Sequence, residues 1–115
     1  MAGGEQDCDL RVWKDIIDRK IVNIIQPDIM YMGGLTRSLK VAKMAAAANM
    51  PCTPHSANLS LVTVCTMHFL KAIPNPGKYL EFSIEGEDYY PWQKNLFLNN
   101  SETFFASSTA TIPTV

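Results

Sequence analysis

The sequence predicts an α/β protein, a partial (β/α)8 TIM barrel in which four strand–helix units supply part of the eight-stranded cylinder. Three observations predict it. Short polar signatures close apolar runs at Gly3-Gly4-Glu5-Gln6, Gln26-Pro27-Asp28 and Pro54-His55-Ser56, and Glu81 closes Tyr79-Leu80-Glu81-Phe82. The order acid, acid, histidine, acid, each at the C-terminal end of an expected strand, is how such a barrel brings reactive groups to one rim. Finally, β-branched runs alternate with helix-forming stretches, an order that calls for parallel pairing with right-handed crossovers.

Each element has its own justification. Asp7 and Asp9 offer N-cap oxygens, after which Leu10, Trp13, Ile16 and Ile17 fall on one face of a helix ending near Lys20. Ile21 to Gln26 is rich in β-branched residues and is halted by Pro27, as a buried parallel strand would be. Gly33-Gly34 permits a tight turn, Thr36 suits an N-cap, and Leu39 to Met50 is an Ala-rich helix with Asn49 at its end. Pro51 to Pro54 is a strand by alternation, although two prolines bracket it. Asn58 or Ser60 caps a third helix, Leu61 to Ala72, whose Leu61, Val64, Cys65, His68 and Phe69 share a side; Pro74-Asn75-Pro76-Gly77 stops it. Tyr79 to Ile84 is the last expected strand. Beyond Glu85 the periodicity decays through Tyr89-Tyr90-Pro91-Trp92 into a Ser, Thr and Asn-rich end. The expected organisation is a barrel portion over residues 1–93 and an irregular or mobile tail over 94–115.

Composition narrows the class of function. With 115 residues, 47% hydrophobic and 18% charged, the chain is a single globular domain. A formal charge of -1 with scattered Lys and Arg gives no electrostatic footprint for nucleic acid. Cys8, Cys52 and Cys65 make an odd count without C-x-x-C spacing, so they read as buried thiols in a reducing interior. No apolar run reaches membrane-spanning length and the first residues lack a signal-peptide pattern, so the expected location is cytoplasmic, with no membrane partner.

The motifs Gly3-Gly4-Glu5-Gln6, Gln26-Pro27-Asp28 with Gly33-Gly34-Leu35-Thr36-Arg37, Pro54-His55-Ser56-Ala57-Asn58 and Leu80-Glu81 together resemble the mandelate racemase and muconate lactonizing enzyme family of the enolase superfamily. The resemblance runs from about Ala2 to Gln93, and Glu5, Asp28 and His55 each stand one strand–helix unit apart, as groups on successive barrel strands do. It implies the last four strand–helix units of an enolase-superfamily C-terminal domain. By resemblance, Glu5 is the last of three carboxylate ligands to a catalytic Mg2+, Asp28 and His55 are a hydrogen-bonded catalytic dyad, and Glu81 is the acid of the final strand. It also implies two further metal ligands and a lysine or equivalent base on strands this chain does not contain, so the chain is expected to be the later portion of a longer fold.

The chemistry fits those residue types. A proton next to a carboxylate is very weakly acidic, and a divalent metal held by hard oxygens stabilises the enediolate left by its removal. A histidine such as His55 exchanges protons near neutral pH, and a carboxylate on one ring nitrogen fixes its tautomer. Glu81, with Glu85 as the competing acid four residues on, would donate a hydrogen bond to the substrate oxyanion if protonated. His68 reads as a packing residue. Met30, Tyr31 and Met32 either line a loop over the barrel mouth or pack beneath it.

Two expectations of different class follow. In one, the chain is the C-terminal half of a Mg-dependent enzyme acting on a hydroxy acid, a sugar-acid dehydratase first and a racemase or epimerase as the alternative, homo-oligomeric in its full-length form. In the other it is a non-catalytic fragment, since four strands cannot close the barrel and leave two edges open.

Overall fold

The computed structural model describes residues 1–56 and 60–81. Five elements follow in order: β1 (Ala2–Gly3), α1 (Leu10–Asp18), β2 (Ile24–Ile25), α2 (Leu35–Ala47) and α3 (Leu61–Ala72).

Helix α1 starts where a cap permits it. Asp9 is extended (φ -95, ψ 126) and its carboxylate accepts from the Arg11 amide, satisfying one of the donors a helix start leaves open. At the other end Lys20 turns left-handed (φ 51), the Lys20 amide donates to the Ile17 carbonyl, and that of Ile21 to Ile16. This closes the helix in a Schellman motif. Ile21 is thereby part of the helix stop and is 46% exposed, so the strand expected over Ile21 to Gln26 contracts to Ile24–Ile25.

Helix α2 begins two residues earlier than Thr36 predicts, at Leu35. Gly34 occupies its N-cap position at φ 113, ψ 174 with no side-chain cap, and the Ser38 hydroxyl donates to the Gly34 carbonyl at 3.1 Å. Gly33 (φ 75) and Gly34 supply the left-handed backbone that lets the chain enter the helix directly. It ends as it began, early: Asn49 (φ 56) is the left-handed residue, and the Met50 amide reaches back to the Ala45 carbonyl. Ala42 and Ala45 are fully buried, and their small side chains bring the helix close to its neighbours.

The pairing is parallel throughout. Ala2 registers with Ile24 and Gly3 with Ile25, and single bridges continue from Ile25 to Cys52 and from Cys52 to Pro76. Pro51 to Pro54 is therefore a lone bridge at Cys52 rather than a strand, because each proline withdraws a donor from the ladder. Among the described residues the last pairing falls at Pro76, upstream of the strand expected from Tyr79; Tyr79 to Glu81 is irregular, and 82–84 lie outside the described residues. The overall fold is mixed α/β, and the described residues hold far fewer regular strand positions than the expected barrel strands within them would show.

Helix α3 carries the capping box Ser60/Thr63, with the Ser60 hydroxyl accepting from the Val62 amide at 3.2 Å. Its buried face is Thr63, Thr66, Phe69 and Leu70, whereas Leu61 is 64% exposed and His68 is exposed. The expected face, and the packing role of His68, are corrected. The apolar residues of this helix are spread round its axis, so its sequence does not select which side turns inward; the Thr66 hydroxyl is accommodated inside by donating to the Val62 carbonyl at 2.8 Å.

Trp13, Ile25, Val41, Cys52, Phe69 and Leu70 form the centre of one core. Of the three cysteines, Cys52 is buried, Cys65 is partly buried and Cys8 is exposed, which corrects the reading of all three as buried. Burial pushes the Cys52 thiol up to about 12. Lys14, Lys40, Lys43 and Lys71 are exposed, as their helix positions predict. The proposed boundary at 93, Asn58, Glu85, Trp92 and the tail over 94–115 lie outside the described residues. Among the described residues no helix is long and apolar enough to cross a membrane.

Candidate active site

The site is built on two adjacent backbone segments. Above the Ile25 to Cys52 bridge the parallel register continues, with the Thr53 amide donating to the Ile25 carbonyl at 2.9 Å and the His55 amide to the Pro27 carbonyl at 3.2 Å. Asp28 and His55 then form a bridge of their own, which sets their side chains next to one another. The His55 Nδ1 lies 2.8 Å from Asp28 Oδ2, with 17% and 10% of the two side chains exposed.

The other carboxylate oxygen is also occupied. Asp28 Oδ1 accepts from the Met30 amide at 2.7 Å and the Tyr31 amide at 3.2 Å, an Asx turn that fixes the carboxylate before the imidazole reaches it. With donors on Oδ1 and the ring on Oδ2, the carboxylate acts as acceptor, Nδ1–H donates, and Nε2 is the ring position presented outward. Glu81 Oε2 stands 3.7 Å from that Nε2, with a side chain 43% exposed. This separation is too long for a hydrogen bond and leaves the edge of the ring accessible.

Glu5 occupies a different turn. It follows β1 in the turn closed by the Asp7 amide donating to the Gly4 carbonyl at 3.1 Å, on the element paired with β2, whose chain leads to Asp28. Asp28, His55 and Glu81 are thus brought together, while Glu5 sits on the neighbouring strand end with no hydrogen bond or ion pair to them. Among the described residues no three of His, Cys, Asp and Glu are placed to hold a metal ion. Magnesium demands near-octahedral oxygen coordination, and the Glu5 carboxylate offers one part of it, so the described donor set does not by itself fit the ion.

Some participants escape motif reading. Ser56 follows the histidine, is 2% exposed, and its hydroxyl donates to the buried Thr63 hydroxyl at 3.1 Å, tying the His55 segment to the first turn of α3. The Ser60-x-x-Thr63 spacing signals the cap but not this second partner. Met30 and Tyr31 are 63% and 55% exposed while Met32 is 1% exposed, so the loop after Asp28 divides its side chains between the two expected settings.

The model of the enolase C-terminal domain-like family matches residues 1–103. The chain belongs to this enolase C-terminal domain-like family. Arabinonate dehydratase of Saccharolobus solfataricus is 26% identical over 88 residues, 76% of this chain and 23% of the dehydratase. D-galactonate dehydratase of Ralstonia pickettii is 34% identical over 55 residues, 48% of this chain and 14% of that one. Among solved structures, a Roseobacter denitrificans protein described as a racemase superposes with a TM-score of 0.77 at 65% identity, covering 84% of this chain and 26% of its own. An enolase from Pantoea ananatis with bound D-gluconate and Mg superposes with a TM-score of 0.64 at 29% identity, covering 73% and 21%. This enolase-family chain therefore spans roughly a quarter or less of the proteins it matches.

Proposed function

We propose that this chain is the proton-handling portion of a sugar-acid dehydratase of the enolase superfamily, corresponding to the last four strand–helix units of the catalytic barrel. The carrying observation is the His55 Nδ1 to Asp28 Oδ2 contact at 2.8 Å, with Nε2 turned outward. His55 is assigned as general acid. As the proton α to the substrate carboxylate leaves, Nε2 gives its proton to the departing β-hydroxyl, the C–O bond breaks, and water and an enol form; the enol ketonises to a 2-keto-3-deoxy acid. His55 acts in this step as the imidazolium: Asp28 accepts from Nδ1–H, orients the ring and stabilises its positive charge, so that Nε2–H is the proton given up and the neutral ring keeps its Nδ1–H. Glu81, beside Nε2, is assigned to the substrate oxyanion as a hydrogen-bond donor when protonated. The base that takes the α-proton is assigned, from the family resemblance, to strands outside these residues.

Glu5 is assigned as one Mg2+ ligand in an assembled barrel, where the ion would stabilise the enediolate as a Lewis acid. The dehydratase names of two relatives and the gluconate and Mg in the Pantoea structure support a sugar-acid substrate and that metal. A cytoplasmic, homo-oligomeric full-length enzyme completes the proposal.

The test is turnover of a panel of aldonic acids with Mg2+, by the chain alone and mixed with the complementary portion of a family member. His55→Asn and Asp28→Asn are each expected to lower dehydration by ~10²–10⁴-fold, the range for loss of a positioned acid–base group. Unchanged turnover in both would remove the dyad assignment. The 65% identity to the Roseobacter protein favours racemisation as the second reading. There His55 Nε2 would exchange the α-proton itself, seen as deuterium entering Cα with the hydroxy acid recovered and no 2-keto product.

A further inference from the structure

The indole of Trp13 lies beneath both turns that carry the acidic site residues. Trp13 is fully buried on α1. Its Nε1–H is shared between the Asp7 carbonyl at 3.0 Å and the Met32 Sδ at 3.1 Å. Asp7 closes the Glu5 turn through its amide on the Gly4 carbonyl, and Met32 closes the Asp28 turn through its amide on the Asp28 carbonyl at 2.9 Å. The six-membered ring of the indole packs against Gly4, where a Cβ would come within 2.5 Å of one ring carbon and 2.8 Å of another. Gly4 is also left-handed (φ 99), so the space and the backbone both require glycine.

We propose that Trp13 is a positioning residue, a single rigid strut that sets the Glu5 turn at a fixed place relative to the Asp28–His55 dyad. The inference rests on the reading of these groups as one site, but its physical content is a mechanical coupling that exists with or without turnover. An indole suits this role because it is flat and stiff and carries one polar atom at its edge. A purely packing tryptophan would not need that N–H divided between the two turns, because a buried donor is satisfied by one acceptor. His55, Asp28 and the Met30 and Tyr31 amides form one arm of the device and Glu5 the other.

The experiment is NMR of the isotopically labelled chain, following the Met30 and Tyr31 amides and the His55 Nδ1 on one side and the Glu5 and Asp7 amides on the other, in wild type and three variants. Trp13→Phe keeps most of the ring and removes both Nε1 hydrogen bonds; it is expected to displace both sets of signals. Met32→Leu removes the sulfur acceptor and is expected to displace the Asp28 set and, through the ring, the Glu5 set. Gly4→Ala pushes on the ring from above and is expected to displace both sets, because the indole carries the push to Met32. If Trp13→Phe leaves both sets in place, or if Met32→Leu displaces the Asp28 set alone and Gly4→Ala the Glu5 set alone, Trp13 is ordinary core and the proposal is overturned. Should Trp13→Phe unfold, the other two variants decide on the same criteria. None of these outcomes depends on activity, so failure of the strut and failure of the catalytic assignment are separately visible.

Discussion

At Asp9, sequence, cap and charge meet in one side chain. Its carboxylate caps α1 through the Arg11 amide and pairs with the Arg11 guanidinium at 2.8 Å. The Arg11 side-chain hydrogen bond, followed by the amide bond, holds the carboxyl down from 3.8 to about 2. Because the folded value lies below the unfolded one, the contribution is fully present above pH 3.8 and disappears as pH falls through about 2. Asp9→Ala should therefore lower the melting temperature at pH 6, with the difference from wild type shrinking between pH 4 and 2; a difference independent of pH would assign the effect to the backbone alone. This residue was legible in the sequence, since a cap depends on neighbours two positions away. The bond from His55 to Asp28 was expected from the family resemblance, but the two amides on the other carboxylate oxygen were not, because they depend on the loop folding back on its own strand end.

Element ends follow local chemistry, and element faces follow packing. The stops of α1 and α2 are set by single left-handed residues, Lys20 and Asn49. Only Asn49 advertises itself by type, since lysine has no special preference for that conformation. On α2, Ala42 and Ala45 touch the core with no room to spare. Ala45→Leu is expected to cost about 1–3 kcal/mol through overpacking, read as a fall in the midpoint of urea unfolding with unchanged slope. A neutral result would mean that α2 can move outward to accept the larger side chain. On α3 the expected face failed for a physical reason: where apolar positions are spread round the axis, the side that turns inward is chosen by the neighbours, and Thr63 goes in because Ser56 is there to bond it.

For the whole molecule, the question is what covers the surface that the elements leave open. β1 has one pairing partner among the described residues, β2, and Met1, Met30, Leu61 and Tyr79 are each more than half exposed. Apolar side chains and an unpaired parallel edge together favour association. Light scattering across a concentration series is expected to show mass rising with concentration; one monomer mass throughout would show that the chain closes its own surface.

The amino-acid order alone determined the α/β class, the Asp9 cap of α1, and the succession Glu5, Asp28, His55 and Glu81, because these rest on short-range periodicity and on residue types at the ends of runs. It could not determine that the strands shrink to pairs of residues and single bridges, that Glu5 stands apart from the other three, or that one indole joins two turns. Those are outcomes of register and side-chain packing between segments far apart in the chain, where the proline-broken ladder and the buried Trp13 decide which polar groups come within bonding distance.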